Sequence, residues 1–285
     1  MASPSSPSNS ESLPILLTVQ GQARSGKGTL ARALTADLRA DHDVVLIDQG
    51  LKFRVIADEY LKAGGDIEDV EAIGIQLAQP DFYERVLGRL SAVSTMAKQE
   101  LDTVYYTPVV NNASGMVGKS QVAQKSVLQL LEDEIKRARD TGIIILDGRA
   151  WTEKGKVFER DGLVRYPLAI DVSCSSLTAA RRLTKLFGPL DSLSQAEAVA
   201  LLKQVVDIDN RNSADARRPL YPSLPISGAL LFDVLRPHTE KEMTNASTTA
   251  RRIGSISVDN SYTRTEEQFT APVVKLVRNL LSIKS

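Results

Sequence analysis

Between Leu16 and Leu34 the chain reads LLTVQGQARSGKGTLARAL, and this stretch restricts the fold more tightly than any other. An apolar run is followed by three glycines and a lysine, and then at once by a helix-forming pattern. A loop stripped of side chains between a strand and a helix lets backbone N–H groups curl around an anion. The helix N-terminus adds its own partial positive charge. Gly21, Gln22, Ala23, Arg24, Ser25, Gly26 and Lys27, with Gly28 and Thr29 opening the helix, therefore read as a phosphate loop for a nucleoside triphosphate. Lys27 is placed to reach the outer phosphates. The G-x-G-x-x-G spacing of a dinucleotide site is absent. Arg24 adds a charge that the motif does not explain.

The rest of the chain supplies a matching framework. Apolar runs at Ile15–Gln20, Val44–Asp48, Ile143–Leu146 and Leu168–Val172, with a weaker one at Ile253–Val258, lack the alternation of half-exposed strands. They read as strands buried on both faces of a parallel sheet, with helices between them. The pair Ser194 and Glu197 is a capping box, and Val199, Leu202, Val205 and Val206 are expected to give its helix an apolar face. Residues 55–141 hold too much chain for one crossover and read as a helix-rich insertion. Residues 219–252, with Pro219, Pro222, Pro225 and Pro237 followed by a Ser/Thr/Asn stretch, read as loop without assignable structure.

Composition removes several function classes. Lys+Arg and Asp+Glu are 35 each, so no global basic field exists to bind nucleic acid or an anionic membrane. The apolar runs are far shorter than the roughly 18 residues of a membrane span. A single cysteine, Cys174, leaves no intrachain disulfide or multi-cysteine zinc site, and reads as a small buried residue after a strand. The opening MASPSSPSNSES reads as a disordered tail, not a signal peptide. A cytoplasmic monomer is expected.

Three further stretches narrow the field: LIDQGLKFR at the end of the second strand, NNAS at 111–114, and IILDGRA at the end of the third. With GKGT in the phosphate loop, the order of Asp48, Gly50, Phe53, Arg54, Ser114, Asp147, Gly148 and Arg149 resembles that of the cytidylate kinases, over most of residues 14–282. DIDNRNSADARRPLYP resembles the family's arginine-rich lid, and ISVDNSYTRTEE its last strand and helix start. The resemblance implies a three-layer α/β P-loop kinase fold with a five-stranded parallel sheet. It divides the chain into a core (14–54, 142–182 and 253–285), an inserted monophosphate-binding subdomain (55–141) and a lid (183–218). The implied reaction is transfer of the γ-phosphate of ATP to CMP or dCMP with Mg²⁺.

Phosphoryl transfer between nucleotides needs no protein nucleophile, so positioning and charge neutralisation carry the chemistry, and arginine is its natural residue. Arg54 and Arg149 each follow a strand end and are assigned to the acceptor phosphate. Arg181, Arg182 and Arg211 are candidates to close over the transferring group, with Arg217 and Arg218 weaker ones. Asp147 is placed to hold Mg²⁺ through water. Gln49, Ser114, Lys125 and Asn212 complete the expected monophosphate site. Departures from the family are Gln49 for Ser/Thr, Ala150 for the aspartate that meets cytosine, and Ile208, Asn212 and Asp215 for the lid's Arg, Asp and Arg. The family's base-contacting arginine falls near Gln124 or Lys125. A kinase for another monophosphate or small metabolite, and a nucleotide-binding regulator without transfer activity, remain open as alternatives.

Overall fold

A computed structural model describes residues 13–66, 68–93, 96, 98–149, 151–217 and 224–282. Ala150, Arg218, the proline-rich start of the 219–252 segment and the N-terminal twelve residues lie outside them. In chain order the elements are β1 (Ile15–Gly21), α1 (Lys27–Leu38), β2 (Val44–Asp48), α2 (Gln49–Lys62), α3 (Val70–Leu77), α4 (Pro80–Val93), α5 (Lys98–Tyr105), α6 (Pro108–Val117) and α7 (Gln121–Arg137). They continue with β3 (Ile143–Asp147), α8 (Thr152–Arg160), β4 (Arg165–Ser173), α9 (Ser176–Thr184), α10 (Gln195–Ala216), β5 (Leu230–Leu231), α11 (Glu240–Ile253), β6 (Ser255–Asp259) and α12 (Glu266–Ser282).

The chain divides into two compact units. The first takes the residues up to Ile47, Glu134–Asp209 and those from Leu224 onward, and contains the sheet. Its strand order is β2-β3-β1-β4-β6-β5, and the pairings of β1 with β3 and β4, and of β6 with β4 and β5, are parallel. The apolar runs are buried on both faces: Leu17, Val19, Ile145, Ile170 and Val258 pack with Leu30 and Leu34 of α1 and with Phe269, Val273 and Leu276 of α12, while Leu16, Ile144 and Leu146, at the alternate positions, are fully buried too. Chain order reverses around β1, so the loops leaving β1, β3, β4 and β6 collect at the carboxyl ends of the strands, where open α/β sheets bind ligands.

Three expectations need correction. Among the described residues the sheet has six strands, not five, and residues 219–252 are not all loop. Leu230–Leu231 adds a short parallel edge strand beside β6, and Glu240–Ile253 is a full helix. Thr239 and Glu242 form a complete capping box at its start, and Gly254 closes it in the left-handed region with φ 77. Phe232, Val234, Met243 and Ala250 join the main core, so the segment is part of the sheet's packing. The expected apolar face of α10 also differs. The Ser194–Glu197 capping box is present, but Val199 and Leu202 are 60% and 62% exposed. The inward face is Leu201, Val205 and Ile208, because these meet the small residues Ala23, Cys174, Ala179 and Ala180.

The second unit comprises Asp48–Asp133 and the segment from Asn210. It is helical: α2 packs on α4, α5 and α6, and α3 packs on α4 and α6. Its core contains Val55, Ile56, Phe82, Val86, Tyr105, Val110, Val117 and Val127.

Candidate active site

The phosphate loop leaves β1 through Gly21, where φ is 145 and a Cβ would stand 2.0 Å from the Val172 carbonyl oxygen. Only glycine fits so close to the neighbouring strand. Gly26, at φ 98, is the N-cap of α1, and a Cβ there would meet Asn260 Nδ2 at 2.5 Å. Between these glycines the loop folds on itself: the Ser25 N–H donates to the Gln22 carbonyl at 3.4 Å, and Lys27 Nζ donates to the same oxygen at 3.3 Å.

Neighbouring elements hold this geometry. Asn260, buried just after β6, donates from Nδ2 to the Ser25 carbonyl at 2.8 Å, while Thr263 donates its hydroxyl to Asn260 Oδ1. The Cys174 N–H donates to Gln22 Oε1 at 3.3 Å, and burial pushes the Cys174 thiol up. Gln20 Oε1 accepts from the N–H groups of Trp151 (2.9 Å) and Thr152 (3.1 Å), fixing the chain just beyond Arg149. Sequence reasoning did not single out Asn260 or Gln20. A lone amide after a strand carries no local signal of its partner, even within ISVDNSYTRTEE, which resembles the family's last strand and helix start.

Asp147 ends β3 in register with Val19, and Gly148 donates to the Val19 carbonyl at 3.1 Å. A Cβ on Gly28 would lie 3.1 Å from Asp147 Oδ2 and 3.4 Å from Arg32 Nη1. The missing side chain leaves a gap beside a carboxylate at the start of α1. One carboxylate with phosphate oxygens and water is the donor set Mg²⁺ prefers, so these residues fit that ion. Among the described residues no cluster of three His, Cys, Asp or Glu forms a self-sufficient metal cage.

The arginines of α9 differ from one another. Arg182 is committed within its own unit: Nη2 donates to the carbonyls of Asn260 (2.7 Å) and Thr263 (3.2 Å), and Nη1 faces Cys174 Sγ at 3.6 Å. Its guanidinium thus braces the loop that places Asn260. Arg181 has a buried Nε without a hydrogen-bond partner.

In the second unit, the carboxylate of Asp48 caps α2 by accepting from the Leu51 N–H at 3.1 Å, and accepts from Tyr106 OH at 2.9 Å. The Arg54 guanidinium lies 4.3 Å from the centre of the Tyr106 ring, and its Nε donates to Asn111 Oδ1 at 3.0 Å. Asn111 Nδ2 donates to the Tyr106 carbonyl at 2.8 Å, and Ser114 Oγ donates to the Asn111 carbonyl at 2.9 Å. Arg54 and Ser114, sixty positions apart, therefore meet on Asn111. In this unit nothing in the sequence marks Tyr106, and Asn111, the first residue of NNAS, carries no role there by itself. Gln49 is the first residue of α2. Gln124 is buried and donates from Nε2 to the Gly118 carbonyl at 2.7 Å, whereas Lys125 is exposed. Arg211 and Asn212 are half-buried on the last part of α10, and Asp215 is buried there.

A parallel sheet with a glycine loop, a lysine at a helix start and a carboxylate on the adjacent strand defines a P-loop nucleotide-binding protein. The family model for cytidylate kinase matches residues 17–248, and the chain belongs to that family. It is 26% identical to the cytidylate kinase of Pseudomonas putida strain W619, over 76% of this chain and 87% of that protein. It is 27% identical to that of Acidiphilium cryptum, over 84% and 97%, and 29% identical to that of Azorhizobium caulinodans, over 77% and 89%. None of the described helices is long and apolar enough to cross a membrane.

Proposed function

We propose that the protein transfers the γ-phosphate of ATP to CMP or dCMP, releasing ADP and the nucleoside diphosphate. The observation that carries the donor half is the phosphate loop, closed on itself by Lys27 and Ser25 and held from beneath by Asn260. Family membership supports the acceptor half.

The nucleophile is an oxygen of the acceptor's own phosphate, already anionic at neutral pH, so no side chain has to remove a proton. The chain's work is electrostatic. Loop N–H groups and Lys27 bind the donor phosphates, and Lys27 follows charge as it moves to the leaving oxygen. Arg54 is oriented before the acceptor arrives. With Nε on Asn111 and its face on Tyr106, it keeps its Nη edge for a phosphate, a pairing suited to its planar fork. Arg149 is assigned to the same phosphate. Asp147 would hold Mg²⁺ at this site, and the ion would supply further charge neutralisation for the transfer. Arg211 and Asn212 keep their assignment as lid residues, while Arg181 and Lys125 keep weaker ones.

ADP release from ATP and Mg²⁺, measured with CMP, dCMP, UMP, AMP and GMP, tests the reading. The highest kcat/KM is expected for CMP or dCMP. Preference for another acceptor, or tight ATP binding with no acceptor used, would replace it with one of the two alternatives.

A further inference from the structure

Among the described residues other than glycine, only Arg24 and Lys185 have positive φ. Lys185 is the C-cap of α9, a place where left-handed backbone routinely closes a helix. Arg24, at φ 61, lies in the middle of the phosphate loop with no helix to close. Left-handed backbone disfavours any residue bearing a Cβ, and such strain persists where the surroundings enforce it and the site uses it.

The surroundings enforce it here. Ala23 is 2% exposed and packs against Ala179 and Ala180 of α9 and Leu201 and Ile208 of α10. Ser25 is fully buried, and its carbonyl is taken by Asn260. With both neighbours anchored inward, the side chain between them is directed out of the loop, and Arg24 is exposed. The same packing turns Ile208 of α10 into the apolar cluster beneath the loop, so position 208 brings no cation to it. Lys27 lies against the loop's own Gln22 carbonyl.

We infer that Arg24 is a second cation of the donor site. Its guanidinium closes over the phosphate chain of the bound nucleoside triphosphate and makes charge-assisted, forked hydrogen bonds that the point charge of Lys27 does not make. The inference rests on the donor-nucleotide reading above.

Calorimetric titration with ATP, ADP and AMP, using the full chain and its Arg24→Asn and Arg24→Lys variants, tests it. Asparagine tolerates left-handed backbone and carries no charge, so Arg24→Asn removes the cation while respecting the loop. Its melting temperature without nucleotide should equal or exceed that of the wild type. Its affinity for ATP should fall about ten- to a hundredfold, the range for losing a hydrogen bond to a charged group. The loss should shrink from ATP to AMP and narrow at high salt, and Arg24→Lys should recover only part of it. Wild-type affinity in Arg24→Asn would overturn the inference. So would a nucleotide-free melting temperature well below wild type, which would make the residue structural. If the wild type itself does not bind ATP, the donor reading fails first and takes this inference with it.

Discussion

Lys27 owes its position to the loop and contributes nothing to the core, so its charge can be removed without disturbing the fold. Lys27→Ala should lower turnover at least about a hundredfold, the scale for removing one preorganised charge from a transition state. Circular dichroism and melting temperature should stay at wild-type values, and near-normal turnover would contradict the loop assignment. Asp171 presents the opposite case, a charge inside the fold. Burial raises its carboxyl above the usual range, and the Ile226 N–H and the Gln20 amide draw it only partly back. A carboxyl with a raised folded pKa holds its proton more tightly in the folded chain. Its contribution favours folding below the unfolded pKa and is lost as pH rises through the folded value. Asp171→Asn, which keeps an oxygen for Ile226, should therefore raise the melting temperature, and by more at pH 8 than at pH 5. A gain independent of pH would mean that ionisation of Asp171 is not the cause.

Helix α11 shows what local sequence conceals. Its buried face is Met243, Ser247 and Ala250, spaced four and three apart, and only Met243 is a large apolar residue. Ser247 can be buried because its hydroxyl serves two carbonyls, Met243 at 2.9 Å and Leu276 at 3.1 Å. Hydrophobic periodicity misses such a face, although Thr239-x-x-Glu242 was a readable start signal. Met243→Ala should cost about 2–5 kcal/mol, the range for a buried methionine truncated in a packed core. Chemical denaturation would measure it, and a cost below about 0.5 kcal/mol would place α11 outside the core. Five of the strands and the loop were legible for the complementary reason: unbroken apolar runs suit strands buried on both faces, and glycines before a lysine and a helix pattern mark a backbone left open to an anion. Arg54 and Ser114 could be named from motif order, but the bonds from Arg54 to Asn111 and from Asn260 to Ser25 act across long separations that no local pattern encodes. Arg182 was legible as a charge near the site, yet its target, two carbonyls after β6, depends on packing alone.

At the scale of the whole molecule, the segment between α10 and β6 extends the sheet by one strand and adds a helix against α12. Phe232, Val234, Met243 and Ala250 share one core with β4, β6 and α12. Replacing residues 224–253 by a short flexible linker should therefore yield a chain that does not fold cooperatively. A trimmed chain that unfolds in one transition at the wild-type temperature would show the segment to be an appendage.

The chain contains one tryptophan, and its location turns it into an instrument. Trp151 is 1% exposed, stands two positions after Arg149, and has its backbone N–H fixed by Gln20, a β1 residue next to the phosphate loop. Its fluorescence reports on a single place, with no second indole to subtract. Nucleotide titrations can be followed in the unlabelled protein, and each variant above can be screened for ligand response in the cuvette used for its unfolding curve.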